Sequence, residues 1–138
     1  MQTAAAPTLL VVEDEPSVRL LLRVVLEGEG YHVLMAEDGT QAIRLLATGA
    51  HPQLLVLDMH TPGADAPAVV AYARDGGLTV PALILSGRDD AVHAFPAGMI
   101  QGFVAKPFDV DALLGRVRRA LRDVPARGRA DPRGTALQ

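Results

Sequence analysis

Glu13, Asp14, Asp58, Ser86 and Lys106 are the residues of this 138-residue chain whose types and placement could do chemistry together. Each stands at or just after the end of a short aliphatic run. Thr8 to Val12 leads into Glu13-Asp14-Glu15 and Pro16. Leu54-Leu55-Val56-Leu57 ends in Asp58, ahead of Met59-His60-Thr61-Pro62-Gly63. Val80 to Leu85 stops at Ser86-Gly87, and Gly102 to Ala105 ends in Lys106-Pro107. Clustered carboxylates with no His or Cys among them suit a hard cation such as Mg²⁺, which keeps several waters. A hydroxyl and an ammonium opposite that cation make a site for phosphoryl oxygens, in which one carboxylate can serve as a covalent nucleophile. Singly, each residue has an ordinary structural account. Glu13 and Asp14 favour a helix N-terminus, Asp58 and Ser86 suit turns, and Lys106 suits a surface. Those accounts do not explain why all of them coincide at the ends of apolar runs.

The elements that must position them are legible from patterning. The run ending in Asp58, bounded by Pro52 and by Pro62-Gly63, predicts a strand buried on both faces. Tyr31 to Ala36 is a shorter, more mixed strand, nearer an edge. Between the strands lie helical segments. Pro16 at a first helical position predicts a helix to about Glu27, with Val18, Leu21, Leu22 and Val25 inward and Leu20 and Val24 buried in a broadened face. Gln41 to Ala47 and Asp65 to Arg74 predict two more, and Asp89 to Phe95 one or two turns before Pro96. Asp109 caps a last helix whose Val110, Leu113, Leu114, Val117 and Leu121 form an apolar stripe. Strands and helices alternating in this way predict an α/β fold, a five-stranded parallel sheet with helices on both faces. Ligands in such sheets bind at the carboxyl ends of the strands, where these residues lie.

Composition narrows the classes. The net charge is −3 and 49% of the chain is hydrophobic, so one domain with a real core is expected, with no nucleic-acid binding by the folded part. No apolar run reaches membrane-span length, and residues 1–7 lack the charge and apolar core of a signal peptide, so a cytoplasmic protein is expected. The absence of cysteine excludes disulfides and thiolate chemistry. His32, His51, His60 and His93 show no ligand spacing. Twelve arginines accompany a single lysine, Lys106, which marks that lysine for a task needing a compact point charge. The expected organisation is a disordered N-terminus at 1–7, a domain at 8–123, and a flexible basic tail or linker stub at 124–138.

Taken together, Val11-Val12-Glu13-Asp14-Glu15-Pro16, Leu57-Asp58-Met59-His60-Thr61-Pro62-Gly63, Leu85-Ser86-Gly87 and Phe103-Val104-Ala105-Lys106-Pro107-Phe108 resemble the receiver domain of two-component response regulators over about residues 8 to 122. The resemblance implies a flavodoxin-like, doubly wound (βα)5 fold. It implies that Asp58 is the phosphoacceptor, taking a phosphoryl group from a sensor histidine kinase or a phosphotransfer protein in a Mg²⁺-dependent step. Asp14 would ligate Mg²⁺ directly with Asp58, Glu13 would help through water, and the backbone carbonyl of His60 would be a further ligand. Lys106 would pair with a phosphoryl oxygen, Ser86 would hydrogen-bond another, and Phe103 would turn inward as the second switch residue. A cis Lys106-Pro107 bond belongs to the same pattern. The domain would switch the binding of a downstream protein, with phosphorylation-dependent homodimerisation through the last helix as a family expectation. It would be a phosphoprotein that assists its own phosphotransfer and dephosphorylation rather than an enzyme.

Glu13 stands where Asp is commoner, Phe103 lacks a hydroxyl often present, and Asp65-Ala66 replaces Asp-Gly. His60 and Arg88 occupy variable positions near the acceptor, and Pro96 bears on the segment before the fifth strand. The alternative reading is a receiver-like interaction module that is never phosphorylated, which predicts loss of the acceptor, a metal ligand or the lysine. A phosphatase with an aspartyl nucleophile would place its acids at the first strand. A flavodoxin-like cofactor carrier would have a loop rich in Ser, Thr and Gly in place of Glu13-Asp14-Glu15.

Overall fold

A computed structural model describes residues 6–87, 95 and 100–122. The elements run β1 (Thr8–Val12), α1 (Pro16–Gly28), β2 (His32–Ala36), α2 (Gly39–Ala47), β3 (Leu54–Asp58), α3 (Ala66–Asp75), β4 (Ala82–Ser86), β5 (Ile100–Ala105) and α4 (Val110–Arg122). The strands form one parallel sheet in the order β2-β1-β3-β4-β5. Strand order reverses between β1 and β3, so the crevice beyond their carboxyl ends is the point where such sheets take ligands. The expected α/β architecture is therefore present.

Alternation of side chains along each strand divides the core in two. Leu10, Val12, Leu55, Leu57 and Ile84 pack with Ala42 and Leu46 of α2 and Val69 and Val70 of α3. Leu9, Val11, Leu54, Val56, Leu83 and Leu85 pack with Leu22 and Leu26 of α1 and Leu113 and Val117 of α4. All five residues of β3 are buried, which is why its sequence is a continuous aliphatic run rather than an alternating one.

Several boundaries and one helix face differ from expectation. Helix α2 starts at Gly39 rather than Gln41, because the Asp38 carboxylate accepts from the Gln41 N–H (2.8 Å) while the Gln41 amide oxygen accepts from the Glu37 N–H (2.7 Å). Strand β4 begins at Ala82, since Pro81 has no N–H for the ladder, although its carbonyl still accepts from Leu55. Strand β5 reaches back to Ile100, with a register irregularity opposite Ala82 and Leu83. In α1 the inward stripe is Leu22 and Leu26, one helical turn apart, with Val18 and Val25 beside it. Leu21 (41% exposed), Leu20 (62%) and Val24 (58%) face solvent, because only one side of the helix meets the sheet. The expected turns at Asp89 to Phe95 and the tail from 124 lie outside the described residues, apart from Phe95. Pro7, placed before the domain, accepts from the His32 N–H at 2.9 Å. Among the described residues no helix is long and apolar enough to cross a membrane.

The loop after β3 is held close to α2. A Cβ at Gly39 would collide with the backbone carbonyl of Ala64, so this position needs glycine for space alone. Asp65 then starts α3 by accepting from the Ala68 N–H (3.1 Å). Gly39→Ala is expected to destabilise the protein by about 2 kcal/mol in urea unfolding, as overpacking against an unyielding neighbour does. Gly28→Ala, which meets nothing within 4 Å, is the control and leaves stability unchanged or slightly raised.

Candidate functional site

Register sets the site. Val12 of β1 lies abreast of Leu57 of β3, so the next residues, Glu13 and Asp58, emerge side by side. Asp58 is in turn abreast of Leu85, and Ser86 of Ala105, so Ser86 and Lys106 follow at the same edge. The ladder continues past the strands: Met59 N–H donates to the Leu85 carbonyl (2.9 Å) and Lys106 N–H to the Ser86 carbonyl (3.1 Å). The Lys106-Pro107 peptide is cis.

Carboxylate oxygens of Glu13, Asp14 and Asp58 all lie within 4.8 Å of one another. Glu13 is fully buried, Asp58 is 8% exposed and Ser86 5%, whereas Asp14 faces solvent. The Lys106 ammonium lies 3.1 Å from Glu13 Oε1 and 3.5 Å from Asp58 Oδ1. Glu13 is further fixed: Oε2 accepts from the Glu15 N–H (3.2 Å), and its backbone carbonyl accepts from Arg19 Nη1 (2.8 Å). The His60 backbone N–H favours the charged form of the Asp58 carboxyl, while the His60 side chain is exposed, as are those of His32 and His51. Phe103, in the middle of β5, packs edge-on against Phe95 at 6.2 Å between ring centroids, and its carbonyl accepts from Arg116 Nη2 at 2.9 Å.

Burial pushes the Glu13 carboxyl above its ordinary value, and the neighbouring Asp58 charge adds to the rise. The Glu15 N–H and Lys106 oppose it without cancelling it. Burial likewise raises Asp58, against the pull of Lys106 and the His60 N–H and with a push from Asp14. Burial alone would depress Lys106, but the Glu13 hydrogen bond and the Asp58 and Glu13 charges outweigh it and hold the ammonium above its ordinary value. Among the described residues the arrangement is a surplus of negative charge, partly desolvated, with one cation against it. Its donor set is all oxygen and carboxylate-rich, which fits a hard divalent cation.

The structure thus brings Glu13, Asp14, Asp58 and Lys106 into one cluster, with Ser86 at the same edge and His60 meeting Asp58 through its backbone. Phe103 lies on β5 apart from the carboxylates, and Arg88 is outside the described residues. Arg19 and Arg116 are absent from the residues the sequence singles out, because nothing in their spacing marks a guanidinium that turns back onto a backbone carbonyl. A separate groove, lined by Arg19, Leu20, Arg23, Met35, Glu37 and Leu45, lies over the β2 edge and brings only one acid.

Raised carboxyl pKa values fix the direction of the pH dependence. The folded state holds those protons more tightly than the unfolded chain does. Stability of the metal-free protein therefore gains from Glu13 and Asp58 as pH falls from neutrality through their raised values, a gain complete below the ordinary carboxylate range. The Lys106 contribution is present below the ordinary lysine value and is lost as pH rises through its raised one. Removing a desolvated charge should also stabilise. Asp58→Asn is expected to raise the metal-free unfolding midpoint at pH 7 by about 4 °C in calorimetry, the size of shift that ~1 kcal/mol produces in a domain of this length.

The family model for the response regulator receiver domain matches residues 9–118. The transcriptional regulatory protein KdpE of Mycobacterium tuberculosis is 38% identical over 117 residues, covering 82% of this chain and 50% of KdpE. The chain spans about half the length of the curated relatives it matches. Among solved structures, the signal receiver domain of a signal transduction histidine kinase from Syntrophus aciditrophicus is 27% identical with a TM-score of 0.77, covering 88% of this chain and 94% of that one. The receiver domain of the sensor histidine kinase PA1611 from Pseudomonas aeruginosa, solved with a magnesium ion coordinated in its active-site cleft, is 25% identical with a TM-score of 0.74, covering 86% and 99%. With the fold, the acid cluster and these matches in agreement, the chain belongs to the response regulator receiver family.

Proposed function

We propose that Asp58 accepts a phosphoryl group from a phosphohistidine on a sensor histidine kinase or phosphotransfer protein. The observation that carries this reading is the Asp58 carboxylate itself: nearly buried, beside two further acids, and 3.5 Å from the only lysine. In the transfer, an Asp58 oxygen forms a bond to phosphorus as the phosphorus–nitrogen bond of the donor breaks, and the imidazole leaves with the electron pair. The phosphoryl group is transferred nearly in line, so positioning and charge neutralisation supply most of the catalysis.

Each residue has a part in that step. Asp14 and Asp58 would hold Mg²⁺ with the His60 backbone carbonyl, and Glu13 would assist through water. Bound there, Mg²⁺ would neutralise part of the carboxylate charge that otherwise repels the incoming phosphoryl oxygens. Lys106 is placed to exchange its contact with Asp58 for one with a phosphoryl oxygen. The Ser86 hydroxyl, buried at the end of β4, would bond another oxygen, and Phe103 would turn toward it, altering the surface around β5. The output would be altered binding of a downstream protein in the cytoplasm. No residue that a non-phosphorylated interaction module would lose is lost: the acceptor, the acids and the lysine are all present.

Intact-protein mass after incubation with acetyl phosphate and Mg²⁺ tests this. One added phosphoryl group is expected, absent from Asp58→Asn and from a Mg²⁺-free sample. No added mass under any of these conditions would contradict the reading.

A further inference from the structure

We infer that the groove over the β2 edge, between α1 and α2, is a docking site for an amphipathic helix of a partner protein, one with an apolar row bordered by acidic residues. The inference does not rest on the phosphoacceptor reading. The groove has a volume of about 540 Å³. Leu20 of α1, Met35 of β2 and Leu45 of α2 supply its apolar part, and Arg19, Arg23 and Glu37 its charged part. Met35 packs against one core layer and Leu45 against the other, so the groove joins apolar side chains from both faces of the sheet around its edge. Leu20 belongs to neither layer and is 62% exposed, which leaves a large apolar side chain uncovered and the groove open to a macromolecule. Leu21 and Val24, also exposed on α1, lie outside it.

Shape and charge together select the occupant. A helix laid between two helices offers apolar side chains at i, i+4 and i+7 in one line, and Leu20, Met35 and Leu45 meet such a row. Arg19 and Arg23, one turn apart, put two guanidinium groups on the α1 side against one carboxylate, Glu37. Among the described residues the groove is therefore a basic spot on a chain whose net charge is −3. Both guanidinium groups have capacity for a partner. Arg23 meets Glu27 at 3.9 Å between half-exposed side chains, a pair loose enough for an incoming carboxylate to replace. Arg19 gives Nη1 to the Glu13 carbonyl at 2.8 Å, and a guanidinium carries five N–H donors. An acidic border is attracted here and a basic one repelled.

Methionine methyl labelling reads the groove directly. Of the four methionines, Met35 lines it, whereas Met59 is buried in the core layer that Met35 does not join. The probes are two synthetic helical peptides with the same leucine row, bordered by glutamate in one and by lysine in the other, added to the metal-free full chain. The glutamate peptide is expected to shift the Met35 methyl signal and leave Met59 in place. It should bind at least about tenfold more tightly than the lysine peptide, with a preference that shrinks as salt rises. Arg23→Glu should reverse the preference, and Leu20→Ser should weaken both peptides about tenfold. Both positions are exposed, and an unmoved Met59 signal shows that the variants keep the fold; Arg19 is left in place because it also holds the Glu13 carbonyl. Equal affinity for the two peptides, binding by neither, or a preference unchanged in Arg23→Glu would overturn the inference. So would a Met35 signal that moves with protein concentration alone, which would make the occupant a second copy of the chain.

Discussion

The ammonium of Lys106 is what permits two desolvated carboxylates, Glu13 and Asp58, to stand side by side at the edge of the sheet. Burial raises both acids, each raises or is raised by an acidic neighbour, and Lys106 is the cation that opposes this. Among the described residues the cluster sets three carboxylates against one ammonium. Structural ion pairs gain stability when their charges match and their hydrogen bonds are complete. This one leaves a surplus of negative charge at the carboxyl ends of the strands, which makes it a candidate site for a bound cation.

The fold supplies the constraint that makes this arrangement reproducible. Parallel strands all end at the same edge, so residues far apart in sequence, Glu13, Asp58 and Lys106, arrive together without a long-range loop to guide them. The aliphatic strands beneath are buried on both faces and cannot shift register without moving whole core layers. Fine positioning comes from the strand extensions, where the Met59 and Lys106 N–H groups continue the ladder beyond the last core residue. The loop after β3 is set by the close approach of Gly39 to Ala64 and by the Asp65 cap.

Much of this was legible in the chain because the physics behind it is local. The unbroken aliphatic run Leu54 to Leu57, bounded by Pro52 and Pro62-Gly63, reads as a strand buried on both faces, and an acid at its end is expected at the edge of the sheet. Capping cannot be read so sharply, and the Asp38–Gln41 exchange moved the start of α2. The face of α1 was misjudged because Leu20, Leu21, Leu22, Val24, Val25 and Leu26 are all apolar, and hydrophobic spacing does not say which of them meets the sheet. Side-chain choices across the site were out of reach for a related reason. Whether Lys106 leans on Glu13 or Asp58, and whether Arg19 and Arg116 fold back onto carbonyls, depends on rotamers chosen against tertiary neighbours. The family resemblance named the site residues but assigned Glu13 only to the metal, and the geometry adds its contact with Lys106.

The central claim is that a phosphoryl group resides on the Asp58 carboxylate as an acyl phosphate. Borohydride reduction of the protein after treatment with acetyl phosphate and Mg²⁺, followed by peptide mapping, tests it most directly, since reduction of an aspartyl phosphate leaves homoserine in its place. The account predicts homoserine at position 58 and unmodified aspartate at position 14. Homoserine elsewhere, or a stable phosphoryl group on Ser86 or His60 with position 58 unchanged, would contradict it.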